Sequence, residues 1–134
     1  MITLGTDQHC FTLNITGYQF QEAEEWWDLN WLNVGFTFPL KDTRGKVYAP
    51  CLTTSELLEL RDWLAHYSAT TLFFVEPELR FRFARANDKL WLLVRIWLNC
   101  EERVTVQLET TPEHIAEAVA ELNVLIQLYP ERAV

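Results

Sequence analysis

The sequence predicts an α+β fold: a curved, mostly antiparallel β-sheet with two α-helices packed against it. Three observations carry this. Leu32, Val34, Phe36 and Phe38 alternate with Asn33, Gly35 and Thr37, the period of a half-buried strand. Thr53 or Thr54, and later Thr111, stand where a helix cap belongs, with Glu56 three residues after Thr53 and Pro112-Glu113 directly after Thr111. Leu90 to Cys100 alternates apolar residues on both faces, so it reads as a central strand covered on both sides. Strand patterns before, between and after the helices point to antiparallel pairing.

In chain order, Phe11, Leu13 and Ile15 alternate with Thr12, Asn14 and Thr16 as a first strand that ends at Gly17. An acidic, tryptophan-rich connection follows, and Trp31 opens the second strand. Lys41 to Gly45 is a polar turn, so Lys46 to Ala49 returns as a hairpin arm that Pro50 ends. Leu57, Leu60, Leu64 and Tyr67, with Trp63 beside them, give the first helix a wide apolar stripe. Leu72 to Val75 and Leu79 to Phe83 are short apolar runs split by Glu76-Pro77-Glu78, a bend, since proline cannot donate to a sheet ladder. Asn87-Asp88 is a tight turn. On the long strand, Leu90, Leu92, Val94, Ile96 and Leu98 share one face and Trp91, Leu93, Arg95 and Trp97 the other. We read that second face as covered within the chain, with a second subunit as the alternative cover. Val104, Val106 and Leu108 pair back as a last strand, and Ile115, Val119, Leu122, Ile126 and Tyr129 form the stripe of the second helix, which Pro130 ends.

With 134 residues the chain is read as one domain, 1–134, able to bury about two thirds of its unfolded surface without a metal or disulfide. A formal charge of −8 argues against nucleic acid or an anionic membrane as direct partner and favours a basic protein. Cys10, Cys51 and Cys100 are odd in number and far apart, with Cys51 and Cys100 in apolar contexts, as free thiols of a cytoplasmic protein are. No apolar run reaches the roughly 18 residues of a membrane span, and the first twenty residues lack the basic start and apolar run of a leader. A cytoplasmic location is therefore expected.

Catalytic chemistry leaves little trace. His9, His66 and His114 never fall into CxxC or HxxxH spacing with one another or with the cysteines, and four glycines form no phosphate-cradling loop. No metal or cofactor is implied. Cys51, two residues before the helical cap, could have its pKa lowered by the helix dipole, but a small buried hydrophobe is the simpler reading. Glu76/Glu78 and Glu101/Glu102 are paired acids in turns, where solvated carboxylates are common. The densest chemistry is at WWDLNWLNV, residues 26–34, where Glu24, Glu25 and Asp28 surround Trp26 and Trp27. Core filling explains the tryptophans; a partner-binding spot explains the acids as well, since aromatic anchors carry interface energy and acids steer cationic partners.

The succession of WWDLNWLNV, PCLTTSELLELRDWL, FFVEPELRF and a terminal YPER resembles the WapI family of bacterial immunity proteins over residues 11–132. The matching residues are Asp28, Asn30, Trp31 and Leu32; Pro50, Cys51, Leu52, Thr54, Glu56 and Leu57; and Glu76, Pro77 and Leu79. Two positions depart, Ala49 where an acid is expected and Ser55 where an aromatic is common. The resemblance implies a non-catalytic antidote that blocks the C-terminal domain of a cognate toxin, possibly a nuclease. On that reading the partner is a basic toxin domain, met by Glu24, Glu25, Asp28, Glu76 and Glu78 with Trp26 or Trp27 as anchor. The rival reading is a homodimeric or scaffold module that uses Trp91, Leu93 and Trp97. An enzyme is a third, and would need a deep pocket with perturbed ionisable groups.

Overall fold

A computed structural model describes residues 1–99 and 101–134; the expectation for Cys100 lies outside them. The architecture is α+β as expected, but the strands are divided into two antiparallel meanders. The first orders β1 (Ile2–Thr6), β2 (His9–Tyr18), β3 (Trp31–Pro39) and β4 (Arg44–Thr53) side by side. The second does the same with β5 (Leu72–Phe73), β6 (Leu79–Ala86), β7 (Lys89–Trp97) and β8 (Arg103–Thr110). A short α1 (Trp26–Asn30) precedes β3, α2 (Thr54–Ala65) follows β4, and α3 (Pro112–Leu128) closes the chain. The sheets meet where β1 lies beside β8, joined by His9 Nε2 on the Gln107 carbonyl at 3.1 Å. Alternation within a strand cannot reveal such a division, because each strand still has one buried face.

One apolar core runs through both sheets and the helices. Phe11 of β2 stacks on Phe36 of β3 and meets Phe81 of β6 edge-on, each pair with centroids 5.8 Å apart, while Trp63 of α2 reaches Phe81 and Phe83. The α3 helix lies against β1 and α2 and buries Ile115, Ala118, Leu122 and Leu125. Val119, Ile126 and Tyr129 of the expected stripe are only partly buried, so the buried line sits slightly round the helix from the one expected.

Two elements were not legible in the sequence. The β1 strand contributes only Ile2 and Leu4 to the core before Gly5, whose φ of +103° suits glycine. The α1 helix lies in what reads as a loop, because its five residues span little more than one turn and Glu25 makes no side-chain cap bond. Pro50 does not end its strand. It sits on the edge strand β4 at a bulge, where Pro50 and Cys51 together face Asn33, and the chain continues to Thr53. Asn87 and Asp88, at φ 54° and 60°, form the two-residue turn joining β6 to β7.

The outer face of β7 also differs from expectation. Leu90, Leu92, Val94 and Ile96 are buried, whereas Trp91, Leu93, Arg95 and Trp97 stay half-exposed. Their cover is partial and comes from long neighbouring side chains; the Arg103 guanidinium lies 5.4 Å from the Trp97 ring centroid.

Both main helices begin at the residues the sequence marks. Thr53 accepts from the Glu56 amide at 3.3 Å while Glu56 Oε1 accepts from the Thr53 amide at 3.0 Å, a complete capping box. Glu56 Oε2 also accepts from the Val75 amide at 2.9 Å, which ties the strand-to-helix junction to the segment before β6. Burial pushes the Glu56 carboxyl above the usual range, against the pull of those two amides. With the folded-state pKa raised, the native state holds the proton more tightly than the unfolded chain. This contribution is fully present below the unfolded carboxyl pKa and is lost as pH rises through the folded value.

Two substitutions test these buried polar groups. Glu56→Gln is expected to destabilise by about 1–3 kcal/mol, since both carboxylate oxygens accept from amides and Gln must turn a donor toward one of them. It should also remove the Glu56 contribution to the pH slope, and urea unfolding across the carboxyl range checks both. Asn30→Asp is expected to lose about 3 kcal/mol or more, because its fully buried amide donates to the Trp26 and Arg132 carbonyls. A thermal midpoint unchanged from wild type would contradict that role.

Candidate functional site

The structure separates the acids singled out from the sequence into two surfaces. The first is the corner built by α1. Glu24, Glu25, Trp27 and Asp28 are exposed, and Trp26 is half-buried. The corner is held from beneath by the C-terminal segment. Asn30 Nδ2 donates to the Trp26 carbonyl at 2.9 Å and the Arg132 carbonyl at 3.0 Å; its Oδ1 accepts from Thr54 Oγ1 at 3.0 Å and the Arg132 amide at 2.8 Å. The Arg132 guanidinium donates to the carbonyls of Phe20, Gln21 and Leu29 and lies 3.8 Å from the Tyr18 ring centroid. Trp26 Nε1 donates to Glu131 Oε1 at 2.7 Å. Trp26 is thereby committed to the fold. Trp27 is not: it is 48% exposed, and its ring meets those of Trp26 and Trp31 at 5.1 and 5.9 Å between centroids.

The second surface is a cleft of about 620 Å³ between the outer edge of β4 and the start of β6, and it gathers Glu76 and Glu78. Tyr48, Ala49, Pro77 and Trp97 also line it; no residue of the α1 corner does. The backbone positions Glu78, whose carbonyl accepts from the Trp97 amide at 3.0 Å. Tyr48 is anchored by a 2.5 Å hydrogen bond between its hydroxyl and Thr16 Oγ1. Among the described residues Glu78 Oε2 and Trp97 Nε1 are buried without a hydrogen-bond partner, as are Thr110 Oγ1 and His114 Nδ1 elsewhere, and both residues of the first pair line this cleft. Buried polar atoms are nearly always paired, so two orphans at one place are notable. Carboxylates between aromatic walls suit a guanidinium or ammonium group, through charge-assisted hydrogen bonds and the ring faces.

Sequence reasoning found Glu76 and Glu78 but not Tyr48, and assigned Trp97 to a different surface. Trp91, Leu93 and Trp97 do share the outer row of β7, yet Arg95 interrupts it and each lines a separate depression. The meeting of Glu78 with Trp97 at the end of the β6–β7 ladder is a matter of register, which no local pattern reveals. Ala49, one of the two departures, lies in the cleft; Ser55, the other, is turned to Thr53 Oγ1 at 3.1 Å. Glu101 and Glu102 sit in an exposed turn whose amides donate to Asn99 Oδ1. Among the described residues no three His, Cys, Asp or Glu side chains gather as a metal site would require, and no helix is long and apolar enough to cross a membrane.

Cys51 is 2% exposed behind this cleft. Burial, then the negative charges of Glu78 and Glu56, push its thiol up to about 12, the opposite of an activated nucleophile. Alkylation with iodoacetamide at neutral pH, read by mass spectrometry, should leave Cys51 unmodified in the folded protein and modify it in urea. Rapid labelling of Cys51 in the native state would contradict this placement.

No curated protein sequence matches the chain. The family model of the immunity protein WapI-like family matches residues 1–130, which takes in β1 and the segments carrying the resemblance up to Pro130 of YPER. The chain belongs to the immunity protein WapI-like family.

Proposed function

We propose that this protein is a stoichiometric antidote that acts in the cytoplasm, without catalysis, by binding the C-terminal domain of a cognate toxin through its acidic surfaces. Family membership supports the immunity role. The observation that carries the mode of binding is the cleft in which Glu78 Oε2 and Trp97 Nε1 stand unpartnered between Tyr48, Glu76 and Pro77. A lysine or arginine of a partner would satisfy the carboxylates there, while Trp27, ringed by Glu24, Glu25 and Asp28, supplies an aromatic anchor on the α1 corner. None of those five acids belongs to either of the two ion pairs among the described residues, Arg61–Asp62 and Lys89–Glu109. Their charge is thus available to a partner.

A nuclease fits as the target. It needs cationic surface to hold RNA or DNA, and an acidic protein can occupy that surface, charge complementarity mainly raising the association rate and the specificity. A structural reading of Glu76 and Glu78 as solvated turn acids leaves the two orphaned atoms unexplained.

The test is titration of the protein with the product of the adjacent upstream gene at low and at moderate salt. Binding that weakens with salt is expected. Glu76→Lys with Glu78→Lys should weaken it about a hundredfold, and reversal of Glu24, Glu25 and Asp28 should chiefly slow association. Circular dichroism shows whether the variants remain folded. Unchanged affinity in folded variants would remove the acidic contact; a salt-insensitive homodimer in light scattering, with no binding at either salt, would favour the module built on Trp91, Leu93 and Trp97.

A further inference from the structure

The outer face of the second sheet holds a group of arginines that the proposed acidic contacts do not include. Arg80 and Arg82 of β6 and Arg95 of β7 project from it, alternating with buried Leu79, Phe81, Val94 and Ile96. The register sets Arg80 directly opposite Arg95, and Arg82 opposite Leu93. Like charges facing each other across a sheet destabilise the pair. In a chain of formal charge −8 with 19 acids, carboxylates to relieve that repulsion are plentiful, yet none lines the depression the three arginines enclose. None of the three belongs to an ion pair among the described residues.

The depression is built to hold something small. Its volume is about 160 Å³, with Phe73 and Leu93 as apolar wall and Thr71 and Thr105 adding hydroxyls. Pockets for nucleotide-sized ligands run to about 300 Å³ or more, so the space suits a single polar group. The Arg80 guanidinium lies 4.9 Å from the Phe73 ring centroid, a stacking that holds one donor fork in place.

We infer that Arg80, Arg82 and Arg95 form a binding site for a phosphate group on the outer face of the second sheet. A phosphate carries about −1.5 to −2 charges at neutral pH and several acceptor oxygens, which matches three guanidinium forks better than the single charge of a carboxylate. The site shares no lining residue with the acidic cleft, which adjoins it on the same face at Glu78 and Trp97, and it does not rest on the antidote reading. Free phosphate and a monoester at the end of a larger molecule present the same oxygens, and the titration below tells them apart.

Calorimetric titration of the full chain with inorganic phosphate, adenosine monophosphate and acetate, at constant ionic strength, tests this. Saturable one-to-one binding of phosphate is expected, weakened about tenfold or more in Arg80→Gln and in Arg95→Gln, with no binding of acetate. Without phosphate, Arg80→Gln should melt no lower than wild type, because it relieves the facing charges, and it should lose the upward shift that phosphate gives the wild type. Monophosphate binding through the same arginines assigns the site to monoesters; phosphate binding alone assigns it to the free anion. Absence of saturable phosphate binding, equal binding of acetate, or affinity unchanged in both variants would overturn the inference.

Discussion

The buried amide of Asn30 is the constraint on which the arrangement of the surface depends. Fully inaccessible, it makes four hydrogen bonds, donating to two carbonyls and accepting from a hydroxyl and an amide. Only an amide side chain offers two donors and an acceptor oxygen in so small a volume. A carboxylate would confront carbonyls with more negative charge, and an apolar residue would strand the polar groups around it. Through this group the end of α1, the start of α2 and the C-terminal segment share one point, and Arg132 extends the tie to Phe20, Gln21 and Leu29. Chain segments about a hundred residues apart are thereby locked together around an exposed tryptophan.

Glu56 does for the cleft what Asn30 does for the corner. Its two oxygens cap α2 and bind the Val75 amide, so the chain entering Glu76-Pro77-Glu78 is held against the junction of β4 and α2. The carboxylates of the cleft are thus placed by another carboxylate, buried at the start of α2. This explains why a short motif can be structural at one residue and available for recognition at the next. It also gives Ala49 a meaning: an acid there would add a third carboxylate to the cleft wall, whereas alanine leaves room beside Tyr48. If the cleft meets the toxin, that change is where specificity would shift.

What the sequence made legible was local. Thr53 with Glu56, and Thr111 with Pro112, mark helix starts because capping is settled within four residues. Strands β2, β3 and β7 were readable because burial alternates along each of them. What escaped depended on contacts between distant segments. The division into two meanders, the orphaned pair of Glu78 and Trp97 and the facing of Arg80 with Arg95 all follow from strand register and sheet assembly. Strand β1 offered too short an alternation, and α1 too short a turn, for their patterns to stand out. The acids at 24, 25, 28, 76 and 78 were legible as charge, but their separation into two surfaces was not.

That separation has a physical consequence. The chain has 11 basic residues against 19 acidic ones; three of the arginines share one sheet face, and the five acids of the corner and the cleft are among the many outside the two ion pairs of the described residues. Neutralising each arginine with a nearby acid would have relieved the repulsion on the sheet and removed charge from the corner and the cleft. On the antidote reading, a cationic toxin surface would be drawn to the acids of the corner and the cleft. The fold commits Asn30, Glu56 and Arg132 to internal hydrogen bonds, while the acids of the corner and the cleft and the three arginines stay outside ion pairs among the described residues.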